Sequence, residues 1–131
     1  MKIRKQLSIF LANKPGALSR AGQALREANI NILGITVSDA VDHAVVRFVV
    51  DKPEEAIKIF EERNILIIEG EVLEVLIPNT PGGFAELAAK LAEKQININY
   101  AYGSVLASDA QQGNIYLHVS DIESAKKILD S

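Results

Sequence analysis

A chain of 131 residues, 48% of them apolar, can build one packed domain or two small ones and is too hydrophobic for disorder. It has no cysteine, which excludes disulfides, thiolate metal sites and a cysteine nucleophile. A formal charge of −3 gives no electrostatic pull towards nucleic acid or an anionic membrane. At the N-terminus, MKIRKQLSIFLANKPG sets basic residues before an apolar stretch, but residues 7–12 are interrupted by Ser8 and too short for a signal peptide. No run approaches the length of a membrane span, so a cytoplasmic protein is expected.

Leu7, Ile9 and Leu11 alternate with other positions at strand periodicity. Pro15-Gly16 breaks that strand and opens a helix, in whose first turn proline is tolerated because its missing N–H has no partner to lose. Leu18, Ala21, Leu25 and Ala28 recur at helical spacing and predict one buried stripe. Residues 30–37 and 44–50 read as strands, the latter rich in β-branched side chains. Asp51 and Glu54 have the spacing of a capping box, ahead of a helix carrying Ala56, Ile57 and Phe60. Residues 65–68 read as a fourth strand.

The chain then repeats itself. NKPGALSRAGQALREANINI at residues 13–32 returns, 66 residues on, as NTPGGFAELAAKLAEKQINI. Further along the offset becomes 69, pairing Asp51 with Ser120 and Ala56 with Ala125, so the middle loop of the second copy holds three extra residues around 107–113. Ser120 and Glu123 form the matching capping box. The pattern predicts an α+β protein of two ferredoxin-like βαββαβ repeats, 1–69 and 70–131, with antiparallel sheets and helices on one face.

The second copy lacks a final strand, because the sequence stops at Ser131 just after helical Ile128 and Leu129. That leaves one edge of its first strand unpaired, a liability for a sheet. Either the natural chain extends further, or residues 65–77 form a hairpin turning at Glu69-Gly70, so that one strand serves both repeats.

Asn-x-Pro-Gly is an ordinary turn sequence. The same atoms also suit a ligand, because a helix N-terminus presents unpaired N–H groups and a positive dipole end to a carboxylate. Gly16, Gly82 and Gly83 would let a carboxylate approach the backbone, and the amides of Asn13 and Asn79 can hold either end of a zwitterion. On that reasoning Gly16→Val or Gly82→Val blocks binding while the fold persists.

The run LSIFLANKPGALSRAGQALREANINILGITVSD resembles the ACT domain, the small ligand-sensing module attached to many enzymes of amino-acid metabolism. It looks especially like the ACT portion of acetolactate synthase regulatory subunits, and the resemblance covers essentially the whole chain as two tandem copies, the second more divergent. It implies an amino-acid site between two modules, built from the loop before the first helix of one and the start of the second strand of the other. The matching positions are Asn13, Pro15, Gly16, Ala17 and Leu18 in the first copy and Asn79, Pro81, Gly82, Gly83 and Phe84 in the second. Asn31 and Asn97 match the strand position; an ordinary strand-entry Asn is the competing explanation. Thr80 suits a helix cap and Lys14 does not. Asn97, Asn99, Tyr100 and Tyr102 make the second copy's strand more polar and aromatic, which places selectivity there, unless the tyrosines pack at an interface. The resemblance further implies a homodimer.

Nothing in the sequence suggests an activated nucleophile, an acid/base pair, a metal site or a cofactor, so catalysis is not expected. His43 falls in a loop and His118 in a strand, without spaced partners. The expected function is a regulatory protein that binds a free amino acid or similar small carboxylate and signals to an enzyme of amino-acid metabolism. An assembly subunit with no ligand of its own is the alternative. RNA binding on the same topology is remote, because aromatics are few and no basic stripe exists.

Overall fold

The computed structural model describes residues 1–39 and 42–131. Ten elements follow in chain order: β1 (Lys2–Ala12), α1 (Ala17–Glu27), β2 (Ile32–Asp39), β3 (His43–Val50), α2 (Pro53–Glu62), β4 (Ile67–Pro78), α3 (Gly83–Glu93), β5 (Ile98–Val105), β6 (Gln112–Val119) and α4 (Ile122–Asp130). They fall into two compact units, Lys5–Gly70 and Met1–Arg4 with Glu71–Ser131. The expected α+β pattern of two ferredoxin-like repeats is found.

In the first unit the strand order is β2-β3-β1-β4. β3 is antiparallel to both β1 and β2, with Phe48 opposite Leu7 on one side and Ile35 on the other. Leu7, Ile9, Val46, Phe48 and Val50 turn one sheet face towards Ala21 and Leu25 of α1 and Ala56, Ile57 and Phe60 of α2. The α1 stripe is shifted from expectation: Ala17, Ala21, Ala24 and Leu25 are buried, whereas Leu18 is 44% exposed.

In the second unit the order is β1-β4-β6-β5, and β6 is antiparallel to β4 and β5. Its core repeats the first by the sequence offsets: Leu73, Val75, Leu87, Leu91 and Ile96 stand for Leu7, Ile9, Ala21, Leu25 and Ile30. Leu117, Val119 and Ala125 stand for Phe48, Val50 and Ala56. The repeat is therefore a repeat of core positions.

The strand expected to be missing is where the structure departs most from the sequence reading. No hairpin turns at Glu69-Gly70; β4 is a single strand of 12 residues that runs through both. Residues 67–70 serve the first unit and residues 71–78 the second. Beside β4 in the second unit lie residues 2–4, the start of β1. Ile3 packs on that unit's core, and Arg4 hydrogen-bonds through Nε to Glu74 at 3.3 Å. The 66-residue offset maps residues 1–4 onto residues 67–70, so each long strand is the end of one repeat joined to the beginning of the next.

Three helices end alike. Asn29, Asn64 and Gln95 take a left-handed conformation with φ 58°, and the next N–H reaches back five residues. Ile30, Ile65 and Ile96 thereby donate to the carbonyls of Leu25, Phe60 and Leu91. This is the Schellman arrangement, closed by an apolar contact between the same residues. It explains half of the repeated Ile-Asn-Ile signature.

Candidate functional site

Each Asn-x-Pro-Gly copy forms the turn between a first strand and its helix. Gly16 and Gly82 are the N-caps of α1 and α3, with φ 89° and 90° in the left-handed region that glycine adopts freely. Pro15 and Pro81 lie in the turn before the helix, not in its first turn as the sequence suggested. Neither helix has a side-chain cap, so Thr80 does not cap; its carbonyl accepts the Gly83 N–H at 3.1 Å. A Cβ on Gly82 would meet nothing within 4 Å, whereas one on Gly83 would stand 2.5 Å from the Pro78 carbonyl oxygen. Gly83 is thus required by close packing and Gly82 by its dihedral angle.

Gly16→Val or Gly82→Val would in addition strain the backbone at this positive φ, so either variant loses stability as well as any ligand contact. Gly16→Ala and Gly82→Ala are each expected to cost about 1–2 kcal/mol of stability, and Asn at either position less. Urea denaturation of the four variants checks this. Equal stability of the Ala and Asn forms would contradict it.

The two asparagines that begin the turns each donate their backbone N–H to the loop beside them, Asn79 to the Gln111 carbonyl at 2.9 Å. Asn79 Nδ2 donates to the carbonyls of Ser108 at 3.2 Å and Ala110 at 2.8 Å, tying the turn to the loop between β5 and β6. That loop, residues 106–111, is three longer than residues 40–42 between β2 and β3, as the sequence offset required. Asn13 donates its backbone N–H to the Asp42 carbonyl at 3.2 Å. Ala17 is buried, and Leu18 and Phe84, equivalent by the offset, are exposed at 44% and 43% on the first helical turns.

Asn31 and Asn97 lie at the far end of each sheet from the turn of their own unit. β1 ends opposite His43, while Ile32 faces Val50, so about seven strand residues, roughly 23 Å, separate the two places. Asn31 N–H donates to Asp51 Oδ1 at 2.9 Å and Asn97 N–H to Ser120 Oγ at 3.0 Å. Asp51 and Ser120, read from sequence as capping-box residues, instead pin the second strands. The N-caps fall one residue later, at Lys52 and Asp121. Asp121 accepts the Ser124 N–H at 3.1 Å and its hydroxyl at 2.7 Å, and both bonds, the hydroxyl first, hold its carboxyl below the usual range.

The polar and aromatic strand of the second unit is largely engaged with its neighbour β6. Asn97 Nδ2 donates to Asn99 Oδ1 at 2.9 Å, Asn99 meets His118 Nδ1 at 3.0 Å, and Tyr100 stacks on the His118 ring at 4.7 Å. Tyr102 stacks on Tyr116, whose hydroxyl donates to Glu74 at 3.0 Å. Burial, and then the Glu74 carboxylate, push the Tyr116 phenol above its ordinary value. His43, expected in a loop, is the first residue of β3. Among the described residues, no helix is long and apolar enough to cross a membrane.

Two ferredoxin-like repeats with a glycine-capped turn before each first helix define a tandem of small α+β modules. The chain belongs to the ACT domain pair family, whose model matches residues 1–129. Among solved structures it is similar to protein BT0572 from Bacteroides thetaiotaomicron, at 26% identity and TM-score 0.91, covering 98% of this chain and 87% of that one. It shares the fold of the ligand-free regulatory subunit of aspartate kinase from Thermus thermophilus, at 18% identity and TM-score 0.71, over 99% of this chain and 96% of that one. The Thermus flavus subunit gives 19% and 0.69, over 98% and 92%. No curated protein matches.

Proposed function

We propose that this ACT pair is a non-catalytic, cytoplasmic regulatory protein. It binds a free amino acid or a similar small carboxylate between ACT modules and passes that signal to an enzyme of amino-acid metabolism. The observation that carries this is the doubled turn. At both copies a left-handed glycine opens a helix whose first amides have no side-chain cap, beside an exposed apolar residue, Leu18 or Phe84. The helix terminus suits a carboxylate and the apolar residue suits an aliphatic or aromatic side chain. Turn and strand asparagine stand too far apart within a unit for one amino acid, so the ligand bridges the turn of one module and Asn31 or Asn97 of another.

The similarity to subunits named as aspartate kinase regulators supports an enzyme partner of that kind. A homodimer is favoured by β2, an edge strand of the first unit that exposes Leu33, Ile35 and Val37. The offset positions on β5 are Asn99, Ala101 and Gly103, which makes the first module the better self-association edge.

A thermal-shift screen against the common amino acids tests the ligand. At a hundred times Kd, the bound form is expected to gain about 2.7 kcal/mol. A flat screen overturns ligand binding and leaves the assembly-subunit alternative.

A further inference from the structure

The first unit contains a cavity of about 400 Å³ that the doubled turn does not explain. Phe10, Ala17 and Ile65 give it apolar walls, and Lys14, Arg20 and Arg63 bring three cations to it. Among the described residues no carboxylate lines it, although the chain carries more acids than bases. Lys14 and Arg20 have no ion pair among the described residues, and Arg63 reaches only the exposed Glu27, at 3.5 Å. The Arg20 guanidinium folds back over the turn, with Nη1 3.0 Å from where a Cβ on Gly16 would sit. Three like charges around one apolar hollow repel one another, and a bound anion relieves that repulsion.

The second copy lacks the cations at the positions of Lys14 and Arg20. The offset of 66 puts Thr80 in place of Lys14 and Glu86 in place of Arg20. The core positions of the two copies are kept, so the fold does not demand these cations. We propose that this cavity is a binding site, peculiar to the first module, for a small amphipathic anion with a carboxylate or phosphate head. The arginine forks hold the head, for which planar paired donors are suited, and Phe10 and Ile65 cover the apolar body. The volume lies within the range of small-molecule pockets, roughly 300–1,000 Å³.

This site borders the first Asn-x-Pro-Gly turn, sharing Ala17 with the module-interface reading, and is told apart from it by Arg20 and Arg63, which that reading does not use. The probes are 3-phenylpropionate and phenyl phosphate, titrated into the full chain and followed by amide NMR. Saturable shifts centred on Ala17, Ala21 and Ile65 are expected for at least one probe, and the probe that binds assigns the head group. Inorganic phosphate is expected to bind at least tenfold more weakly than phenyl phosphate. Lys14→Thr with Arg20→Glu installs residues the second copy already tolerates, and affinity should fall at least tenfold. Arg63→Gln, at an exposed position, should weaken binding several-fold with the spectrum otherwise unchanged. No saturable shift with either probe, a shift map centred elsewhere, or full affinity in both variants would overturn the site. A flat amino-acid screen would not touch it.

Discussion

Phe60→Ala is expected to lower the stability of the protein by about 3–5 kcal/mol. Phe60 is wholly buried on α2 and meets the ring of Phe48 on β3 edge-on, with centroids 5.7 Å apart. Its removal takes away the transfer energy of a large ring and the aromatic pairing, and leaves a void between helix and sheet. The same residue closes α2, since Ile65 donates to its carbonyl and packs against the core it belongs to. A globular domain has about 5–15 kcal/mol in all, so the variant should approach the edge of folding. Urea denaturation measures the effect, and Phe60→Leu should cost less because it retains most of the volume. A change below about 1 kcal/mol for the alanine variant would mean that the first core does not depend on this ring.

Removing residues 1–4 is expected to weaken the second unit rather than fray a tail. The strand beside β4 goes, together with Ile3 from the core and the Arg4 hydrogen bonds to Glu74 at 3.3 and 3.4 Å. Glu74 is then left with the Tyr116 hydroxyl as its remaining described partner. At about 1.5 kcal/mol for each of the two charged hydrogen bonds, the low end because the pair is only partly buried, the cost is on the order of 3 kcal/mol before the loss of Ile3 from the core is added. The ion pair of the N-terminus with Asp130 at 3.1 Å is exposed and adds little. Amide exchange localises the effect: protection at residues 71–76 should fall most. Arg4→Gln keeps the strand and should show only part of the fall. Unchanged protection at those residues would show that residues 2–4 do not complete this sheet.

Both tests rest on features of unequal legibility in the sequence. The repeat was plain because core positions recur: Leu7, Leu25 and Ile30 answer to Leu73, Leu91 and Ile96 whatever surrounds them. The helix ends were half legible. Asn29, Asn64 and Gln95 each stand before an isoleucine, and that isoleucine is the apolar partner of a left-handed helix stop. The capping boxes failed because Asp51 and Ser120 have a rival use: they accept the N–H of Asn31 and Asn97 from a distant strand, and local spacing carries no trace of that. The fate of residues 1–4 was hidden for the same reason, their partners being about seventy residues away. The turn glycines were found, but their reason is a dihedral angle as much as an open surface. Arg20 and Arg63 look like ordinary solvated helix charges in the sequence, and only the fold sets them around one cavity.

The division of the two long strands also makes the two modules unequal in how local their contacts are. Residues 5–70 are one uninterrupted stretch, so the first module can close as soon as residue 70 has been made. The second module is not one stretch, because it joins residues 1–4 to residues 71–131. The hydrogen bond from Met1 to Asp130 spans 129 positions, among the most non-local a chain of this length allows. Pairings so distant in sequence form late and slowly. A module closed by such pairings is expected to form after the first, and pulse-labelled amide exchange checks this: protection at residues 44–50 should precede that at residues 112–119.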